Sequence, residues 1–127
     1  MPKVLFLDDE QPLLTAIGRV LRAEPYEVIT TTSPERALEI VAEGVDVVVT
    51  DERMPRMNGG DFLEMVRRAA PDVIRIMLTG ETSLAVTSRL IENGGLYRFL
   101  GKPVDNDELR RVLLQALHHR EMQRARG

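Results

Sequence analysis

The residues able to do chemistry in this sequence sit just past short apolar runs. Asp8 and Asp9 follow Lys3–Leu7, Asp51 follows Val45–Thr50, Thr79 follows Val73–Leu78, and Lys102 comes just after Leu96–Leu100. Together they offer carboxylate oxygens, one hydroxyl and one ammonium, groups that hold cations and neutralise anions. Singly, each has a plainer use. An Asp after a strand is usually a cap or turn residue, a Thr before Gly is turn chemistry, and a Lys before Pro is a solvated charge. The recurrence carries more weight: four of five apolar runs deliver such a group at the same end. Much other chemistry is excluded by composition. The chain has no Cys, so it has no disulfide framework, thiolate zinc site or Cys nucleophile. Its two His are adjacent in sequence and share no helix face, which leaves little for an imidazole metal site. Aromatics are 4% with no Trp, which argues against base-stacking nucleic-acid modules.

The elements that must position these groups alternate strictly. After the first run, Gln11–Ala23 carries Leu13, Leu14, Ile17, Val20 and Leu21 at helical spacing. Tyr26–Thr30 is rich in β-formers. Ser33-Pro34 reads as an N-cap and first helical position, and Gly44 as the stop. Met54–Gly60 reads as a loop, and Asp61–Ala70 as a helix ending before Pro71. Thr82–Asn93 and Asp105–Arg120 complete five helices. Five strands alternating with five helices imply a parallel sheet with helices on both faces. In such sheets ligands sit at the carboxyl ends of the strands.

The 127 residues fit one domain with a core that needs no staples. The longest apolar stretches are about four residues, far short of the ~20 needed for a membrane span. Met-Pro-Lys leads straight into a strand with no signal-peptide pattern, so a cytoplasmic protein is expected. No basic block is dense enough for direct nucleic-acid binding. Of 17 basic residues only Lys3 and Lys102 are lysines.

The motifs Leu7-Asp8-Asp9-Glu10, Asp51-x-x-Met54-Pro55 with Asn58-Gly59, Leu78-Thr79-Gly80 and Phe99-x-x-Lys102-Pro103 resemble those of two-component response-regulator receiver domains. The resemblance covers about residues 2–120. It implies a flavodoxin-like (βα)5 fold with strand order 2-1-3-4-5 and a cis Lys102-Pro103 peptide. In that order the strands bearing Asp8, Asp51, Thr79 and Lys102 are successive neighbours. Three carboxylates within ~5 Å repel by roughly 3 kcal/mol per pair at an effective dielectric near 20, so they call for a proton or a cation. Oxygen ligands on a rigid rim suit Mg²⁺.

By the same resemblance, Asp51 accepts a phosphoryl group from the phosphohistidine of a sensor histidine kinase or phosphotransfer protein. Asp9, Asp51 and the Arg53 carbonyl bind Mg²⁺, with Asp8 acting through metal-bound water. Lys102 balances charge, and Thr79 and Phe99 form the switch, Tyr97 being the weaker aromatic candidate. Arg53 and Glu81 border the water path, and their pairing is expected to slow loss of phosphate. The domain is expected over residues 1–120, with 121–127 a polar helix extension that is either a frayed end or the start of a linker to an output domain.

The surface of the fourth helix, fifth strand and fifth helix, with Arg89, Arg98, Arg110 and Arg111, is a candidate homodimer or output contact, or simply a solvated face. Two other readings compete. A Mg²⁺-dependent phosphohydrolase needs Asp-x-Asp after the first strand, and this chain has Asp8-Asp9-Glu10. A receiver-shaped interaction module that takes no phosphate would be expected to have lost the acid pair, Asp51 or Lys102.

Overall fold

The computed structural model describes residues 1–80 and 96–126. The strands are β1 (Lys3–Leu7), β2 (Glu27–Thr31), β3 (Val47–Asp51), β4 (Ile74–Thr79) and β5 (Arg98–Gly101). They form one parallel sheet in the order β2-β1-β3-β4-β5. Helices α1 (Gln11–Val20), α2 (Pro34–Glu43) and α3 (Gly59–Ala69) connect the first four strands, and a C-terminal helix spans Asn106–Arg126. The expected order and pairing are those observed. The expected helix over Thr82–Asn93 lies outside the described residues.

Local sequence explains the boundaries. The Ser33 hydroxyl accepts the Arg36 amide, Pro34 opens α2, and Gly44 at φ 110° ends it where a side chain would be strained. Strand β3 is buried along its length, as parallel strands covered on both faces should be. One layer of core packs α1 and the C-terminal helix against the sheet through Leu14, Ile17, Leu109, Val112 and Leu113. The other packs α2 and α3 through Ala37, Val41, Phe62, Leu63 and Val66. With β1 buried beyond Lys3 and β3 buried throughout, the polar groups of these two strands are left to their ends.

Three elements differ from expectation. Helix α1 ends at Val20, and Leu21–Ala23 turn back; the apolar pattern continues there, and Leu21 is still buried. Helix α3 starts at Gly59, inside the expected loop, because the Asn58 side chain caps the Asp61 amide at 2.8 Å. The C-terminal helix runs unbroken to Arg126, well past its apolar stripe. Charge anchors that extension. Asp46, buried just before β3, meets Arg124 Nη2 at 2.8 Å and Arg120 Nε at 3.7 Å and accepts the Lys3 amide at 2.8 Å. Arg120 also donates to the Asp72 carbonyl at 2.8 Å.

Candidate functional site

The carboxyl ends of β1, β3, β4 and β5 bring Asp8, Asp51, Thr79 and Lys102 to one rim. In-register parallel pairing does this: Leu7 lies beside Thr50, Asp51 beside Leu78, and Thr79 beside Gly101. The Lys102 amide donates to the Thr79 carbonyl at 2.9 Å, carrying the chain from β5 over the rim, and the Lys102–Pro103 peptide is cis.

Lys102 is the hub. Its Nζ lies 2.8 Å from Asp51 Oδ1 and 3.1 Å from Asp8 Oδ2. Asp8 has no solvent exposure, and its other oxygen accepts the Glu10 amide at 2.9 Å. Burial pushes the Asp8 carboxyl above its ordinary range, against the Glu10 amide and Lys102, with the Asp51 charge adding to the rise. Burial by itself would lower Lys102. The hydrogen bonds to Asp51 and Asp8 outweigh it and leave the ammonium held above its ordinary value. A compact ammonium on a flexible stem suits this place between two carboxylates.

Asp9 is exposed beside this pair. Carboxylate oxygens of Asp8, Asp9 and Glu10 lie within 4.8 Å of one another. This cluster of hard oxygen donors could hold a divalent cation. The expected trio was Asp8, Asp9 and Asp51; the structure groups Glu10 with the acid pair and joins Asp51 to Asp8 through Lys102. Asp9, Glu10, Asp51, Glu52, Arg53, Gly80 and Lys102 line an open cleft of about 400 Å³. Arg53 is exposed at its edge. Its expected partner Glu81 lies outside the described residues, as does Arg89.

Thr79 is buried at the end of β4, and its hydroxyl donates to a Glu52 carboxylate oxygen. Phe99 lies beside Met77 and packs, half-buried, on the layer that holds α3. Two residues before Phe99, Tyr97 would share its strand face if the strand extended that far. It precedes β5 and packs instead on the opposite layer, its ring 5.3 Å from that of His119. The two-residue alternation holds only inside the strand. Arg98 reaches Gln115 at 3.4 Å, and Arg110 pairs with Asp107 at 3.0 Å, while Arg111 is exposed.

Sequence reading missed Glu10 as a donor and Glu52 as the partner of Thr79. Glu10 was visible in the Asp8-Asp9-Glu10 run. Glu52 becomes visible only with the register of β3 and β4, which sets Asp51 beside Leu78 and hence the next pair together.

A family model for the response regulator receiver domain matches residues 4–114. The chain belongs to that family. As a receiver domain it is a signalling switch. It is 31% identical over 121 residues to the hydrogenase transcriptional regulatory protein HoxA of Cupriavidus necator, covering 94% of this chain and 25% of that protein. It is 35% identical over 115 residues to the two-component response regulator ORR3 of Oryza sativa subsp. indica, covering 87% of each. Among solved structures, the signal receiver domain of an HD domain-containing protein from Pseudomonas fluorescens Pf-5 superposes with a TM-score of 0.89 at 32% identity, covering 99% of this chain and 93% of that one. The receiver thus spans about a quarter of the length of the bacterial transcriptional regulator it matches. No helix among the described residues is long and apolar enough to cross a membrane.

Proposed function

We propose that Asp51 is the phosphoacceptor of this receiver and that the phosphoryl donor is the phosphohistidine of a sensor histidine kinase or phosphotransfer protein. The observation that carries the reading is the Lys102 ammonium set between Asp51 and Asp8. An Asp51 oxygen attacks phosphorus, the phosphorus–nitrogen bond of the donor breaks, and its electron pair returns to the imidazole. The product adds nearly two negative charges to a rim that already holds several carboxylates. Lys102 holds Asp51 in place before transfer and can turn its ammonium to the new oxygens afterwards. Asp9, Asp51 and the Arg53 carbonyl, with Asp8 through water, are the proposed Mg²⁺ ligands, and Glu10 is a further donor. Mg²⁺ supplies neutralisation of charge on the transferring group.

Thr79 then donates its hydroxyl to a phosphoryl oxygen, and Phe99 follows the space that Thr79 vacates. Residues 1–120 form the receiver, and 121–127 lead from it. An output domain after that extension, a homodimer through the fifth strand and its flanking helices, and a cytoplasmic location complete the reading.

The test is incubation with Mg²⁺ and acetyl phosphate, followed by intact mass measurement. Wild type gains one phosphoryl group, and Asp51→Asn gains none while remaining folded. A phosphoryl group on the Asp51→Asn chain would exclude Asp51 as acceptor.

A further inference from the structure

The Thr79 hydroxyl is already engaged before any phosphoryl group arrives. Strands β3 and β4 set Glu52 opposite Thr79, and the Glu52 backbone is pinned on both sides. Its amide donates to the Leu78 carbonyl at 3.0 Å and its carbonyl accepts the Gly59 amide at 2.8 Å. From this fixed backbone the half-buried side chain reaches Thr79, whose hydroxyl donates to Glu52 Oε2. Glu52 also lines the cleft that holds Asp51 and Lys102.

We propose that Glu52 is a positioning residue that holds the Thr79 hydroxyl in the unphosphorylated receiver and thereby sets how tightly the site takes a phosphoryl group. The inference rests on the reading of Asp51 as acceptor and Thr79 as donor to the phosphoryl oxygen. A hydroxyl has one proton to donate. Donation to Glu52 and donation to a phosphoryl oxygen therefore exclude each other. A phosphoryl group on Asp51 gains the Thr79 bond only by breaking a charge-assisted one. Lys102 cannot relieve the competition by holding Glu52 aside, since its ammonium is placed between Asp51 and Asp8. The contact thus weights the equilibrium toward the unphosphorylated arrangement of Thr79.

Bulk charge repulsion between Glu52 and the incoming anion would act in the same direction, but without Thr79. A double-mutant cycle separates the two. The measurement is beryllofluoride affinity by calorimetry at saturating Mg²⁺, for wild type, Glu52→Ala, Glu52→Gln, Thr79→Ala, Thr79→Ser, the double variants Glu52→Ala/Thr79→Ala and Glu52→Ala/Thr79→Ser, and Asp51→Asn. Glu52→Ala is expected to bind about tenfold more tightly than wild type, equivalent to about 1.4 kcal/mol. Glu52→Gln, which keeps the acceptor but loses its charge, is expected to fall between them.

The gain should persist in a Thr79→Ser background, which keeps the hydroxyl, and vanish in Thr79→Ala. An equal gain in the Thr79→Ala background, or none in either Glu52 variant, overturns the role of Glu52. Failure of the wild type to bind beryllofluoride, or undiminished binding by Asp51→Asn, would instead overturn the acceptor assignment.

Discussion

Gly59 offers the sharpest test of how the backbone places Asp51, the proposed acceptor. A Cβ built on it would lie 2.2 Å from the Asp51 carbonyl oxygen and 3.1 Å from both the Asp51 carbonyl carbon and Glu52 Cα. All three are backbone atoms of the strand end that carries the site, so no side chain can swing aside. Non-bonded contacts of carbon settle near ~3.5 Å, so in Gly59→Ala the start of α3 must withdraw by about 1 Å. That withdrawal breaks the Gly59 amide's 2.8 Å bond to the Glu52 carbonyl. Loss of this bond in a buried setting costs about 1–3 kcal/mol, and the residual crowding costs about 1–3 kcal/mol. The better helix preference of Ala returns about 0.5–1 kcal/mol. The net loss is about 3 kcal/mol, or a Tm about 10 °C lower for a domain of this size.

Thermal and urea unfolding followed by far-ultraviolet circular dichroism measure the change. Gly18→Ala is the matched control, since a Cβ there, inside α1, meets nothing within 4 Å. It is expected to stabilise by about 0.5–1 kcal/mol. Gly59→Ala within about 0.5 kcal/mol of wild type, a shift ordinary for an inconsequential substitution, would refute the close approach of α3 to Asp51.

Two further outcomes follow from groups outside that contact. Lys102→Met leaves buried Asp8 facing Asp51 without its ammonium, and is expected to lower stability in divalent-free buffer by about 2–3 kcal/mol. Saturating Mg²⁺ should restore most of this, and equal losses with and without the cation would contradict the shared charge balance. Burial pushes the Tyr26 phenol from 10.0 up to about 12, with Glu24 adding and Arg110 opposing. The folded state therefore holds this proton longer than the unfolded chain. Its contribution to stability is intact below pH 10 and is lost as pH rises to about 12. Urea unfolding between pH 9 and pH 11 should show that decline in wild type and a flatter profile in Tyr26→Phe, and parallel profiles would refute it.

Much of this architecture was legible because the sequence punctuates it. Ser33-Pro34 and Gly44 mark α2 with a cap, a first-turn residue and a stop, and β1 and β3 are apolar runs that end at their acids. The gathering of Asp8, Asp51, Thr79 and Lys102 on one rim was legible through their recurrence at strand ends. What escaped notice depended on partners distant in sequence. The reach of the C-terminal helix to Arg126 follows from Asp46, more than seventy residues earlier. Asn58-Gly59-Gly60 reads as loop until Asn58 is seen capping α3. Tyr97 parted from Phe99 because the strand begins between them. The bond from Thr79 to Glu52 depends on the register of two strands, which no local pattern records.

The C-terminal helix has a mechanical consequence. Its 21 residues, at ~1.5 Å each, make a rod about 31 Å long. It begins just past the Lys102-Pro103 turn and passes the opposite end of the sheet, where Arg120 and Arg124 meet Asp46. One stiff element therefore ties both rims of the sheet together. A tilt of about 5° about its midpoint moves each tip by roughly 1.3 Å. At Arg124, about 12 Å from the midpoint, the shift is about 1 Å, which would stretch its 2.8 Å contact with Asp46 towards the ~4 Å limit of an ion pair. Small angular changes beside Asp51 are thus carried, by leverage alone, to an ion pair at the far side of the domain.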